Sequence, residues 1–213
     1  MSNIIVQKFG GTSVGSVERI DAVADIIKNA SLSEKIVVVV SAMSGETNKL
    51  VSLAKHFGDN PDKREFDALV STGETISSAL LTMALHSKGV KARSFSATQI
   101  SMKTTSTYSK AKILDVDSNK IMSVIENDTI PIITGFQGVT ETGDITTLGR
   151  GGSDTTAVAI AAQIKAKRCD IYTDVDGIYT TDPKIVSNAK KLDSITMEEM
   201  LELAGQGAKV IQT

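Results

Sequence analysis

The chain has 213 residues, of which 41% are hydrophobic and 23% charged, and its net charge at pH 7 is −2. A chain of this length can bury one core without disulfides or structural metals. The near-neutral charge, together with 4% aromatic residues and no tryptophan, argues against nucleic-acid partners. One cysteine and two histidines exclude an internal disulfide and a Cys/His zinc site. We see no signal segment or apolar run of membrane length, and we therefore expect a cytoplasmic protein with no membrane partner.

Short apolar runs alternate along the chain with segments of helical periodicity. We predict strands at Ile4–Phe9, 36–40, 90–95, Ile113–Asp115, Ile130–Thr134 and 170–173. Helices are predicted after Ser16, after the SAMSGETN stretch, over 62–87, before Ile130–Thr134, over 155–165 and over 196–203. This alternation predicts an α/β sandwich with a mainly parallel sheet and one domain over residues 1–213. Ligands bind such sheets beyond the carboxyl ends of the strands, so we look for a site there.

The first strand ends in KFGGTSVGS, which is typical of an anion-binding turn. Gly10 and Gly11 allow backbone amides to approach a phosphate, the following helix adds partial positive charge, and Lys8 adds a full one. The segment is not a Walker A motif, because Ser16 stands where that motif needs lysine. A tight turn with Ser16 as the helix cap explains the same residues equally well.

Two other charged segments allow both a structural and a functional interpretation. Ser71 and Glu74 have the spacing of a capping box, in which the carboxylate only satisfies a backbone amide. The string GRGGSD places Arg150 between glycines, as bidentate carboxylate recognition requires, although a flexible loop would look the same. Asp154 opens the next helix and could cap it or orient nearby lysines. The acidic stretch 173–184 lacks the glycine and glutamate positions of a calcium loop.

The motifs taken together resemble one enzyme family across essentially the whole chain. They are, in order, KFGGTSVGS, VVVVSAMSGETN, STGE, FQG, TTLGRGGSDTTAVAIAA, TDVDGIYTTDP and EMLELAGQGAKV. The chain is thereby similar to the catalytic domain of aspartate kinase, in the amino acid kinase superfamily. The resemblance implies that family's three-layer α/β sandwich. It also implies phosphorylation of the β-carboxylate of L-aspartate by ATP with Mg²⁺, the first step towards lysine, threonine and methionine.

The resemblance also implies roles for individual residues. Lys8, Asp154 and Lys209 resemble the catalytic group, in which Asp154 orients the lysines that reach the transferred phosphate. Substrate contacts are implied for Thr47, Glu74 and Arg150 with its neighbours Gly151, Gly152 and Ser153; Glu74 would take the ammonium group and Arg150 a carboxylate. Nucleotide contacts are implied for Lys8, Phe9, Gly10, Gly11, Thr12, Ser41, Thr173, Asp174, Tyr179, Asp182 and Lys184.

Two departures from the family pattern affect these expectations. Lys184 stands where relatives often have arginine, which replaces a forked donor by a point charge. The sequence also stops at Thr213, where family members continue into further strands and regulatory ACT domains. We therefore expect an incomplete catalytic domain, weak turnover and no feedback inhibition by lysine or threonine. Homo-oligomer formation stays open.

Two alternatives to an aspartate kinase remain at this stage. One is a different carboxylate or nucleotide kinase of the same superfamily, such as an acetylglutamate or uridylate kinase. The other is a nucleotide-binding fragment that keeps the fold but has little turnover. The GRGGSD and SAMSGETN strings argue against the first, and the sequence alone does not decide against the second.

Overall fold

The computed structural model describes residues 3–174, 177, 179, 180, 186 and 188–196. In chain order the strands are β1 (Ile4–Phe9), β2 (Lys35–Val40), β3 (Ala92–Phe95), β4 (Lys103–Thr104), β5 (Ile113–Asp115), β6 (Ile130–Thr134), β7 (Gln137–Val139), β8 (Ile145–Thr147) and β9 (Arg168–Tyr172). The helices are α1 (Val17–Ala30), α2 (Glu46–Lys55), α3 (Lys63–Val70), α4 (Thr72–Ser87), α5 (Ser118–Glu126) and α6 (Gly152–Gln163).

A parallel five-stranded sheet with the order β3-β6-β2-β1-β9 forms the centre of the fold. Its inner strands β1, β2 and β6 are almost continuously apolar because both faces are covered, and every residue of β1 and β6 is buried. One face packs against α5 and α6, and the other packs against α1 and α4. The predicted three-layer α/β architecture is therefore confirmed.

A second, smaller sheet with the order β5-β4-β7-β8 lies outside this sandwich. Its strands have only two or three residues each, and β7 and β8 form an antiparallel hairpin. The sequence predicted β5 but not the other three strands. Strand β8 comes directly before the segment that contains the GRGGSD string.

The predicted long helix over 62–87 is two helices, because the chain turns at Ser71 between α3 and α4. By length and composition alone, Lys63–Ser87 could cross a membrane, but half of that window is buried inside the fold. Buried carboxylates at Asp67 and Glu74 lie within the same stretch. These features are those of core helices in a globular fold.

Several predicted boundaries shift by a few residues. The helix predicted at 155–165 begins at Gly152 and ends at Gln163, and the strand predicted at 90–95 begins at Ala92. The predicted cap of α1 is confirmed, because the Ser16 hydroxyl accepts a hydrogen bond from the Arg19 amide at 3.3 Å.

The chain divides into two compact units between Tyr172 and Thr173. Within the described part of the second unit, Tyr179 pairs with Lys191 in an antiparallel bridge, and the Thr180 amide donates to the Lys190 carbonyl at 2.9 Å. The helix predicted over 196–203 lies outside the described residues after Thr196.

Candidate active site

A cavity of about 380 Å³ opens at the carboxyl ends of β1, β2 and β6. Parallel strands bring their carboxyl ends to the same edge of the sheet, so loops distant in sequence meet there. The cavity is lined by Lys8, Gly11, Ser41, Ala42, Met43, Ser44, Gly45, Thr47, Glu74, Phe136, Gly149, Arg150, Gly151, Gly152, Ser153 and Asp154. Ten of these residues were predicted to be site residues from the sequence.

Lys8 and Asp154 form an ion pair inside this cavity. The Lys8 ammonium on β1 lies 2.8 Å from the Asp154 Oδ1, and both side chains are largely shielded from solvent. Asp154 lies in the first turn of α6, whose cap is Gly151, so the interpretation of Asp154 as the helix cap is wrong. Its carboxylate instead fixes the Lys8 ammonium at the cavity wall.

The backbone of the KFGG turn packs directly against the loop after β2. The Ser44 amide donates to the Gly11 carbonyl at 3.1 Å. A Cβ atom at Gly11 would lie 2.8 Å from the Ala42 carbonyl oxygen, so only glycine allows the two loops to approach this closely. The close approach keeps backbone groups of both loops at the cavity floor.

Glu74 is a buried carboxylate with one free oxygen. Its Oε1 accepts the Ala42 amide at 3.1 Å, and its Oε2 has no partner among the described residues. Burial raises the pKa of Glu74 to about 7, and the hydrogen bond from Ala42 opposes that rise only in part. The predicted capping box is wrong, because the Ser71 hydroxyl donates to the Ala68 carbonyl and makes no cap bond.

Arg150 lies in the loop between β8 and α6, beside two glycines that take left-handed backbone conformations. Gly149 has φ +81° and Gly151 has φ +73°. The Arg150 side chain is exposed, and its guanidinium makes no hydrogen bond or ion pair with the described residues. A forked donor is therefore free to bind a carboxylate within the same cavity as Glu74.

Phe136 is a cavity residue that sequence reasoning missed, although it belongs to the FQG string. Its φ of +67° is unusual for a bulky side chain and indicates local strain. Its amide donates to the Thr156 hydroxyl at 3.1 Å, and its carbonyl accepts the Leu148 amide at 3.0 Å. Gly152 leaves room for the ring, because a Cβ there would lie 2.9 Å from Phe136 Cδ2.

Three predicted nucleotide residues of the first unit, Phe9, Gly10 and Thr12, are described by the structure but do not line this cavity. Phe9 is fully buried in the core, where its ring stacks on Tyr172 with centroids 4.5 Å apart. The Gly10 amide donates to the Tyr172 carbonyl at 3.0 Å, and the Thr12 carbonyl accepts Arg19 Nη1 at 2.7 Å. Nucleotide contacts from these three residues stay a prediction.

The other nucleotide residues belong to the second unit. Thr173 donates from its hydroxyl to the Asp174 Oδ1 at 3.2 Å, and Tyr179 lies in the bridge described above. Asp182, Lys184 and Lys209 lie outside the described residues, so their predicted roles stay predictions.

The cysteine and the two histidines make contacts outside the cavity and have no role in the proposed site. Burial raises the pKa of the half-buried Cys169 thiol to about 11, which makes it a poor nucleophile at neutral pH. His86 Nε2 lies 2.8 Å from the Ala92 carbonyl, and His56 packs edge-on against Phe57. Neither histidine lines the cavity.

Comparison with known proteins gives one consistent family. The model of the amino acid kinase family matches residues 3–213. The chain is 56% identical over 210 residues to an aspartate kinase of Pseudomonas putida, which covers 98% of this chain and 51% of that protein. It is 55% identical over 209 residues to an aspartokinase of Geobacillus stearothermophilus, with 98% and 51% of the two chains covered. The chain thus spans about half the length of these curated relatives.

A solved structure gives the same fold. Aspartokinase III of E. coli in complex with aspartate and ADP superposes with a TM-score of 0.89 at 32% identity, covering 98% of this chain and 57% of that one.

Proposed function

The chain belongs to the amino acid kinase family, and we propose that it transfers the γ-phosphate of ATP to the β-carboxylate of L-aspartate. The observation that carries the proposal is the buried Glu74, which has one unpaired carboxylate oxygen and lines the same cavity as Arg150 and Lys8. The named aspartate kinases among the relatives, at 55% and 56% identity, support the same choice.

The charges of aspartate match the charges of the cavity. The substrate has one ammonium group and two carboxylates at neutral pH. Glu74 accepts hydrogen bonds from the ammonium group. The positive charge of that group stabilises the carboxylate, which burial disfavours in its charged form. Arg150 binds the α-carboxylate with its fork, and Thr47, Gly151, Gly152 and Ser153 complete the walls around the substrate.

Phosphoryl transfer in this site needs positioning and positive charge more than acid–base chemistry. The β-carboxylate is already ionised at neutral pH, so its oxygen attacks the γ-phosphorus without a general base. A new C–O–P bond forms as the bond between the γ-phosphorus and the bridging oxygen breaks, and ADP leaves with the electron pair. Lys8, held by Asp154, stabilises the negative charge on the moving phosphoryl group.

ATP with bound Mg²⁺ fits the donor set of the site. The glycine turn offers close backbone approach, and Lys8 and Ser41 offer polar side chains at the cavity wall. Among the described residues, no cluster of three or more His, Cys, Asp or Glu side chains could hold a metal on its own. Mg²⁺ would enter with the nucleotide, as it does in other phosphate-binding enzymes, and neutralise phosphate charge. We assign Thr173, Asp174, Tyr179, Asp182 and Lys184 to the nucleotide, and Lys209 to the phosphates, by resemblance to the family.

A product assay tests this function. Acyl phosphate is trapped with hydroxylamine in parallel reactions with aspartate, glutamate, acetylglutamate and UMP, and UMP-dependent ADP release is measured separately. We expect hydroxamate from aspartate alone. Activity confined to another substrate would replace aspartate kinase by another reaction of the family.

Calorimetry with a non-hydrolysable ATP analogue separates the enzyme from a nucleotide-binding fragment. Binding of the analogue without turnover of any substrate would favour the fragment. A cytoplasmic location belongs to the same proposal, because ATP and a reduced Cys169 are both expected there.

A further inference from the structure

Asp67 on α3 is a fully buried carboxylate that accepts four hydrogen bonds from only two residues. Its Oδ2 accepts the amides of Ser109 and Thr147, each at 2.8 Å. Its Oδ1 accepts the hydroxyls of the same two residues, each at 2.9 Å. These four hydrogen bonds take the place of the water that would otherwise solvate the carboxylate. Moving either partner would leave buried charge unpaired, so Asp67 holds both partners in place.

Both partners of Asp67 border the loop that carries Arg150. Thr147 is the last residue of β8, three positions before Arg150. Ser109 lies against Gly149, since a Cβ atom at Gly149 would be 3.1 Å from the Ser109 carbonyl oxygen. The Ala111 amide also donates to the Thr147 carbonyl at 2.9 Å, which joins the segment just after Ser109 to Thr147.

The conformation of Ser109 itself depends on this network. Its φ of +64° is in the left-handed region, which a serine adopts at a cost unless side-chain bonds support it. Asp67 receives both the amide and the hydroxyl of this residue, so it supports the turn that presses on Gly149.

A second link between α3 and the β7–β8 hairpin serves as an internal comparison. Arg64 Nε donates to Asp144 Oδ1 at 2.7 Å, near the start of β8. This pair is partly exposed to solvent, and exposed ion pairs contribute little to rigidity. The buried carboxylate at the other end of β8 is therefore the stronger attachment.

We propose that Asp67 is the positioning residue that sets the Arg150 loop for substrate binding, by clamping Ser109 and Thr147 on either side of it. The inference rests on the proposed function, because it assigns Arg150 to the aspartate carboxylate. Asp67 does not line the cavity, so it acts on substrate only through the loop.

Kinetics of the Asp67→Ala variant give the first test. The KM for aspartate should rise about tenfold, while kcat and the KM for ATP stay within about threefold of the parent values. Asp67→Asn keeps the shape and can pair with both amides and both hydroxyls, so it should restore the KM to within about threefold. Arg64→Ala, on the same helix, should leave all three parameters unchanged. An unchanged KM in folded Asp67→Ala overturns the proposal.

A double-mutant cycle with Arg150→Ala shows whether Asp67 affects substrate binding through Arg150 or by loosening the fold in general. If Asp67 acts through Arg150, Asp67→Ala should lower kcat/KM for aspartate less than about twofold in the Arg150→Ala background. A loss of the same size in both backgrounds would contradict the proposal.

Two other variants serve if Asp67→Ala does not fold. Ser109→Ala and Thr147→Val each remove one hydroxyl donor to Asp67, and both are measured in the same double-mutant cycle. Each should then raise the KM about threefold.

Amide hydrogen exchange tests the clamp without any substrate. Residues 148–152 should exchange faster in Asp67→Ala than in the parent protein, and Arg64→Ala should not change their rate. If the parent protein turns over no aspartate, the proposed function fails, and this exchange measurement alone decides whether Asp67 holds the loop. Equal exchange in all three proteins would overturn the clamp.

Discussion

Lys8 is a charged residue on a buried core strand, and its ammonium is held by an ion pair. Lys8 lines the cavity, and its ammonium lies 2.8 Å from the Asp154 carboxylate. A lysine at this place in the cavity lies where an anionic ligand could form a charge-assisted hydrogen bond with it. This arrangement is what stabilisation of a transferring phosphoryl group requires.

We expect Lys8→Ala to lower kcat for aspartate phosphorylation by a hundredfold or more, about 3 kcal/mol of transition-state stabilisation. Steady-state kinetics with circular dichroism checks that the loss occurs in a folded protein. Lys35→Ala is the matched control, because Lys35 is exposed at the opposite, amino end of the same sheet. A folded Lys8→Ala with near-normal rate would remove Lys8 from the phosphate site.

Arg150→Lys should raise the KM for aspartate more than about tenfold with a smaller effect on kcat. An ammonium keeps the charge but cannot reproduce two parallel hydrogen bonds to a carboxylate. Initial rates at varied aspartate and saturating ATP measure the change. An unchanged KM would mean that Arg150 does not contact substrate.

At the scale of elements, continuous apolar runs predicted the central strands well. The run at 36–40 and the strands Ile4–Phe9 and Ile130–Thr134 are buried on both faces, which leaves a strong local signal. Strands β4, β7 and β8 are two or three residues long, so no periodicity can develop in them. The end of β8 is held by Asp67, which lies 80 positions away in the sequence.

In the candidate site too, the features that depend on neighbouring residues could be predicted from the sequence, whereas those that depend on distant contacts could not. The glycine turn near Lys8 and the Arg150 loop were recognisable because their residue types are unusual side by side. The interpretation of Glu74 as a capping residue failed because its actual partner, the Ala42 amide, lies 32 positions away. Phe136 was missed because a strained φ leaves no mark in the residue type.

The junction of β6 and β7 meets the first turn of α6 at Gly135. Its amide donates to the Val40 carbonyl at 2.9 Å, and a Cβ atom there would lie 2.6 Å from Ser153 Cβ and Oγ. Gly135→Ala should therefore displace the start of α6, lower stability by about 1–3 kcal/mol and reduce aspartate turnover.

Thermal unfolding and kinetics of Gly135→Ala are compared with those of Gly143→Ala. Gly143 has φ +90° in the β7–β8 turn and nothing within 4 Å of an added Cβ. That variant should lose about 1 kcal/mol from backbone strain alone and keep its turnover. Equal activity in the two variants would mean that the Gly135–Ser153 contact does not position the site.

At the scale of the whole molecule, the buried Glu74 carboxyl group makes the free energy of unfolding depend on pH. Its pKa rises from the ordinary value of 4.5 to about 7 on folding, because burial disfavours the charged form. Between these two values the folded state holds a proton that the unfolded state has released, so stability falls as pH rises. Above about pH 7 both states are ionised and this contribution becomes constant.

The Glu74→Gln variant isolates this contribution, because every other titrating group is common to both proteins. Denaturant unfolding between pH 5 and pH 8 should show the parent losing about 2–3 kcal/mol relative to the variant. Aspartate should recover part of that loss at pH 8, since its ammonium pairs with the ionised carboxylate and favours the charged form. The variant should gain less from aspartate, because its amide has no charge to pair with the ammonium group. Parallel stability curves for the two proteins would mean that Glu74 is solvated in the folded state, and its assignment to the ammonium group would then lose its physical basis.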